Sequence, residues 1–357
     1  MSTQVFLNGS VYSPADPFAT AMVVAQGNVE WVGQDAGARS ILDPSMRCTD
    51  LSGNLLAPAF ALAALSAEPD QVADLLDTLT QAGYISANVM LTDSTGRFEQ
   101  SPATRVRYYL PASKLNTGQH PDPAVKGIYC LDSAEATAQA LEFATSHRLN
   151  LVAVPADDSV AEEFLDKLAG MDSLARMRIS PCLGGLQSLD MSLIERAKDL
   201  NVSLGFSSDF DQSHNSYSHA LSAGASAVLG SDPLRPPFAL GWELMNRAVN
   251  PEQDDTAVSA RAAFQSMTRA VYRAQGENNP WCGQLVPGAP AHCALWKVTE
   301  LMVQTPDSRI SAWSTDPRAR TPLLPVLADD VSRPELVALY NSGQKLDKGN
   351  KSMRGIL

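Results

Sequence analysis

The chain has 357 residues, 45% of them apolar and 18% charged, which suits one large domain plus a small one or an α/β barrel with an appendage. A formal charge of −12 disfavours nucleic acid, whose phosphates the acidic body would repel, and no apolar run reaches membrane-spanning length. Five scattered cysteines without a CxxC pair argue for a reducing, cytoplasmic setting rather than a disulfide frame or zinc knuckle, and Met-Ser-Thr-Gln does not open a secretory signal.

Three short strands are predicted first, over residues 4–7, 21–25 and 29–33, with turn signals at Asn8-Gly9 and Gly27-Asn28. The eleven-residue run from Leu55 to Leu65, closed by Ser66, reads as a buried strand or a short buried helix, which periodicity alone does not separate. A helix is then expected over 72–82, strands over 85–91, 105–110 and 125–131, and a helix over 134–146 capped by Ser133. Strand 150–154, helix 159–169, strand 177–182 and helix 190–200 follow. Strands 202–206 and 225–229 flank a short helical piece, helices 240–249 and 257–274 come next, and 293–298 and 310–313 are strand-like. Such alternation implies a parallel sheet with right-handed crossovers, and about eight strands close a TIM-type (β/α)8 barrel. A doubly wound open sheet is the runner-up, without a Gly-rich turn after its first strand to support it.

Two stretches carry a family resemblance. Asp50-Leu-Ser-Gly-Asn-Leu-Leu-Ala-Pro58-Ala-Phe60 closely resembles the approach to the barrel in the amidohydrolase superfamily. There the sequence runs on as Pro-Gly-Phe-(Ile/Val)-Asp-X-His-X-His, and both histidines bind the catalytic metal. Gly283-Gln-Leu-Val-Pro-Gly288-Ala-Pro-Ala-His-Cys-Ala-Leu-Trp296 resembles the family turn Gly-X-Leu-X-Pro-Gly-X-X-Ala-Asp-(Leu/Ile)-Val-Val, with His292 at the Asp position. The resemblance touches 5–66 and 225–296 clearly and the middle more loosely, and points to the amidohydrolase 3, N-substituted formamide deformylase-like branch. It implies a barrel over 55–285 beside a small β-sandwich built from 1–54 and 286–330. Residues 331–357 are expected to form a C-terminal helix and a basic tail, with Lys345, Lys348, Lys351 and Arg354 against Asp347.

In that superfamily the metal ligands sit at the ends of strands one, four, five, six and eight. Here Ala64 and Ser66 stand at the two histidine positions of strand one, and Leu62 replaces the Asp. Val125-Lys126 resembles a segment whose lysine can carry a metal-bridging carbamate, although without metals Lys126 reads as a surface lysine. Pro155 and Pro181 stand at the histidine positions assigned to strands five and six. Leu229-Gly-Ser-Asp232 does match the family's Gly-Ser-Asp, whose Asp is general base and metal ligand. Family members use zinc or another divalent metal, but one carboxylate cannot hold it, so no cofactor is expected here. Asp232 is then a vestige that caps a helix or bonds nearby amides.

A replacement site is conceivable in the loop after strand seven, where Asp209, Asp211, His214 and His219 are candidate binding residues near Asp232. His214 and His219 do not share a helical face, and short polar residues also simply favour loops. No Gly-X-Ser-X-Gly elbow occurs. Cys182 reads as a buried inert thiol, with Gly184-Gly185 allowing a close approach behind it. His120 and His147 read as loop and helix-end residues, and Trp281, Trp296 and Trp313 as sandwich core. The leading expectation is an amidohydrolase homologue that has lost metal-dependent hydrolysis and has a binding, regulatory or structural role. Losing all four histidine positions together favours it. The alternatives are a hydrolase of C–N bonds with a relocated site near Asp232 and the 209–219 loop, or a metal-free lyase or isomerase at the same mouth. Its partner would be a small molecule, not nucleic acid or a membrane, with a homodimer as the default assembly.

Overall fold

In the computed structural model the run from Leu55 to Ser66 divides between two sheets. Leu55–Pro58 pairs antiparallel with Cys293–Lys297 in an outlying sheet, and after Ala59 the chain enters Phe60–Ala67, the first strand of a parallel barrel. Both pieces are covered on both faces, which is why the sequence runs apolar without alternation. The structure describes residues 3–93, 98, 101, 103–114, 121–131, 134–209, 216–237, 239–251, 256–304, 313–314, 321–328 and 330–346.

Barrel strands two to seven are Tyr84–Leu91, Arg105–Pro111, Val125–Leu131, Asn150–Val154, Cys182–Leu186 and Ser203–Phe206, each parallel to its neighbour. The eighth is Ala227–Leu229 continued, after Gly230, by Ser231–Asp232. Its first part pairs with strand seven and its second with strand one, Ser231 opposite Ala64 and Asp232 opposite Leu65. That last pairing closes the sheet, so the fold is the TIM-type barrel and not the open doubly wound sheet.

The helices between strands follow from amphipathic spacing and acidic caps. Asp158–Ala169 buries Ala161, Phe164, Leu165 and Leu168, one face of a helix, and Asp157 accepts from the N–H groups of Ser159 and Val160 at its start. Among the described residues no helix is long and apolar enough to cross a membrane.

Three expected elements are corrected. Residues 177–182 are not a strand: Asp172 caps the helix Ser173–Arg178, and strand six begins only at Cys182, after Pro181. Met177 and Ile179 alternate like a strand, but Met177 lies 65% exposed on that helix. The expected helix 257–274 is two, Ala260–Ser266 and Arg269–Ala274, broken at Thr268, whose backbone is non-helical (φ −129°, ψ −97°). The C-terminal helix is instead a strand, Glu335–Asn341, antiparallel to Cys293–Lys297 and turning back into Gln344–Lys345. The spacing of Leu336, Val337 and Leu339 fits a helix or a strand, and pairing with a strand far back along the chain decides it. The rest of the basic tail, like Ser133, lies outside the described residues.

Beside the barrel, one four-stranded sheet runs Asn28–Gly33, Ala21–Ala25, Gln4–Leu7, Arg47–Asp50. A five-stranded sheet runs Ser10–Val11, Leu55–Pro58, Cys293–Lys297, Glu335–Asn341, Gln344–Lys345. Phe6, Met22, Val24, Leu56, Leu295 and Tyr340 pack between them, so both ends of the chain build one core. Trp296 from this domain meets Phe60 and Trp242 of the barrel, ring centroids 5.8 and 5.4 Å apart. Trp281, by contrast, is 48% exposed and not core, and the side chain of Trp313 is outside the described residues.

Two predictions follow from this joint. Gly83 lies against Trp296 at φ +83°, and a Cβ there would come within 2.4 Å of the indole. Gly83→Ala is expected to cost about 2 kcal/mol or more in urea unfolding, and an unchanged midpoint would contradict that packing. His292 accepts the N–H of Ser342 on Nδ1 at 3.2 Å, which requires that nitrogen unprotonated. Burial, aided by Arg105 and opposed by Glu277, lowers its pKa from the ordinary 6.5 to about 4. Between those values the unfolded chain binds the extra proton, so stability falls as pH drops through that window. The urea midpoint of His292→Asn, whose Oδ1 can replace Nδ1 as acceptor, is expected to fall less than that of the parent from pH 7 to pH 4. Parallel pH profiles would refute the assignment.

Candidate functional site at the barrel mouth

The C-terminal ends of the strands form the face where barrels of this type place their chemistry. Asp232 ends strand eight there, and Ser207, Ser208 and Asp209 follow strand seven. Because Phe206 pairs with Leu229, the turn after strand seven folds over the end of strand eight. Ser207 Oγ donates to Asp232 Oδ1 at 2.5 Å, and the Ser208 N–H donates to both carboxylate oxygens at 3.2 and 3.1 Å. Arg235 places Nε 3.8 Å from Asp232 Oδ1, donates to Ser207 Oγ at 3.0 Å, and reaches Asp209 Oδ2 at 3.2 Å. Arg247, on the helix Gly241–Val249, donates to Ser208 O at 3.0 Å and lies 3.8 Å from Asp209 Oδ1. Two carboxylates are thus matched by two guanidinium groups.

The Asp232 side chain is fully buried. Burial pushes its carboxyl above the ordinary value, while the hydrogen bonds from Ser207 and Ser208 and the charge of Arg235 pull the other way. A carboxylate supplied in this way with donors and a counter-charge is an anchor for the turn.

Below it the barrel is filled with apolar side chains. Ala64, Met90, Tyr109, Tyr129, Val152, Val154 and Cys182 form one buried cluster. Tyr129 donates its hydroxyl to Leu91 O at 2.9 Å, and Thr92 Oγ1 donates to Glu68 at 2.5 Å at the rim. The cavity beside Ala64 measures about 20 Å³, room for about one water.

Asp209 and Asp232 are brought together, joined through Arg235, as their sequence neighbourhood suggested. His219 lies on the helix Ser216–Ala223, half-buried, and makes no hydrogen bond or ion pair with either aspartate. Asp211 and His214, like His120, lie outside the described residues. Pro155 does follow strand five at the mouth. Pro181 does not stand at a ligand position: it precedes strand six, whose mouth end is Leu186. Lys126 is likewise at the start of strand four, on the opposite face, exposed and donating to Pro123 O at 2.6 Å. Gly184 and Gly185 admit a neighbouring side chain rather than a ligand: Ser231 Oγ accepts the Gly185 N–H at 3.3 Å. His147 ends the helix Ala134–His147, stacked on Phe143 at 4.1 Å. Sequence reasoning missed Arg235 and Arg247. The first stands three residues after Asp232, a legible pairing distance, whereas the second reaches the site only through the packing of its helix.

No family model and no curated protein sequence matches the chain. Solved structures match along almost its whole length. An N-isopropylammelide isopropylaminohydrolase from Burkholderia multivorans is 12% identical, with a TM-score of 0.60 over 97% of this chain and 98% of that one. A triazine hydrolase from Arthrobacter aurescens is 14% identical, with a TM-score of 0.61 over 97% and 95%. An amidohydrolase from an environmental sample of the Sargasso Sea is 12% identical, with a TM-score of 0.66 over 98% and 94%. The chain has the amidohydrolase fold.

The described residues at the mouth of this amidohydrolase fold do not fit a catalytic divalent metal. Such a centre needs several convergent ligands with one position open. Among the described residues no three His, Cys, Asp or Glu side chains group in a way that could hold one. Ala64 is packed in the apolar cluster, Pro155 has no donor atom, and both Asp232 oxygens already accept hydrogen bonds. Arg235 places a permanent positive charge where a cation would have to approach.

Cys182 offers no substitute nucleophile, since burial pushes its thiol up to about 12. Among the five cysteines only Cys48 is exposed. Native protein is therefore expected to react rapidly with a thiol reagent at Cys48 alone. Fast modification of Cys182 would contradict its burial.

Proposed function

We propose that this amidohydrolase-fold chain no longer performs metal-dependent hydrolysis and acts by binding, in a regulatory or structural role. The observation that carries the reading is the guanidinium of Arg235 on Asp232, in a mouth whose neighbouring Ala64 is sealed in an apolar cluster. In a metal-dependent hydrolase the corresponding carboxylate must stay free to take a metal or a proton from water, and here both its oxygens accept from Ser207 or Ser208. The proposed partners are a small molecule and a second copy of the chain, with no resident cofactor, in a reducing cytoplasmic setting. Free thiols at all five cysteines support that setting.

Hydrolysis of a C–N bond at a relocated site would draw on Asp209, Asp211, His214, His219 or Asp232. Arg235 pairs with both Asp209 and Asp232, and Arg247 with Asp209, which weighs against a role for these two carboxylates.

Metal analysis of protein purified without chelators tests the reading. Well under one equivalent of zinc, iron or manganese is expected, together with no amide hydrolysis above background. Stoichiometric metal lost on Asp232→Asn would overturn it. Restoring histidine by Ala64→His with Ser66→His is expected to leave zinc binding weak, because two ligands beside a guanidinium do not complete a site.

A further inference from the structure

The opposite, N-terminal face of the barrel carries a cavity of about 950 Å³. Its wall is built from the starts of strands three to six and the loops leading into them. Arg105, Arg107, Lys126, Arg148 and Arg178 line it, in a chain whose net charge is −12. Two carboxylates share the lining, and both are engaged. Glu277 pairs with Arg105 at 2.7 Å, and Asp122 accepts the Ala124 N–H at 2.7 Å in its own turn. Arg148 and Arg178 are exposed and have no ion-pair partner among the described residues. Arg148 holds a left-handed backbone (φ +55°) just past the helix Ala134–His147, a place that usually goes to glycine or asparagine.

Two of the buried lining residues are polar and incompletely satisfied. Arg107 is 9% exposed and donates from Nη2 to Gln275 O at 3.1 Å, while its Nε has no partner. Gln275, 3% exposed, has neither side-chain amide atom paired. Each such buried group costs about 1–3 kcal/mol, an expense that core packing alone does not explain. The lip is different in kind: Leu174 and Met177 stand 63% and 65% exposed on the helix Ser173–Arg178.

We infer that this cavity binds a small organic phosphate, its anionic head held by Arg148, Arg178 and Lys126 and its apolar body laid over Leu174 and Met177. Planar guanidinium groups suit a phosphate's geometry, and their convergence in an acidic protein gives a local field that attracts anions. Barrel chemistry belongs to the other face, so occupancy here is a binding event and not catalysis. The inference does not depend on the state of the mouth and goes beyond the proposed loss of hydrolysis.

Isothermal titration calorimetry of the full chain with phenyl phosphate and with inorganic phosphate tests it. Phenyl phosphate is expected to bind saturably and more tightly than inorganic phosphate. Arg148→Gln combined with Arg178→Gln, both at exposed positions, is expected to weaken both at least tenfold, whereas Lys297→Gln on the outlying sheet leaves both unchanged. Leu174→Ser with Met177→Ser is expected to weaken phenyl phosphate alone. Absence of saturable binding, or affinities within twofold of the parent in the double arginine variant, would overturn the site. Tighter binding of a single-stranded oligonucleotide than of phenyl phosphate would overturn the small-ligand assignment.

Discussion

Strand eight closes the barrel through two residue pairs, Ser231 with Ala64 and Asp232 with Leu65. Everything at the mouth is positioned by that closure. It sets the carboxylate of Asp232 beside the strand that carries Ala64 and Ser66, while the pairing of Phe206 with Leu229 brings the turn after strand seven within hydrogen-bonding reach of both oxygens. In a metal-dependent hydrolase of this fold that carboxylate would face a cation. Here it faces Arg235.

A buried carboxylate needs a counter-charge and donors, or its pKa rises until it becomes neutral. Arg235 supplies a counter-charge and Ser207 and Ser208 the donors, which oppose the rise that burial imposes. Below them the barrel fills with Met90, Tyr109 and Tyr129. The small side chain of Ala64 and the apolar filling around it go together. The N-terminal face has gone the other way, gathering cations around polar groups that lack partners.

The barrel was legible because its evidence is local: apolar strands, capped amphipathic helices and the residues around Pro58 and Asp232. Strand six was misplaced because Met177 and Ile179 alternate like a strand, whereas the Asp172 cap makes that stretch a helix. The final strand was missed because pairing with Cys293–Lys297 is invisible in residues 335–341 themselves. At the site, Asp232 and Asp209 could be named from sequence, since each follows a predicted strand. Arg247 could not, because it meets Ser208 and Asp209 only through the packing of Gly241–Val249. The basic cavity escaped for the same reason: its arginines are spread over several strand starts, and the overall charge is acidic.

The central claim is that Asp232 has become a structural anchor, and the unfolding free energy of Asp232→Ala tests it most directly. Removing a fully buried carboxylate would leave the Ser207 hydroxyl and the Ser208 amide without their acceptor, and Arg235 with Asp209 as its one remaining counter-charge. A loss of about 2 kcal/mol or more is predicted, as when a charged acceptor is taken away from buried donors. Unchanged or increased stability, the behaviour of a carboxylate kept for catalysis at the expense of the fold, would contradict the account.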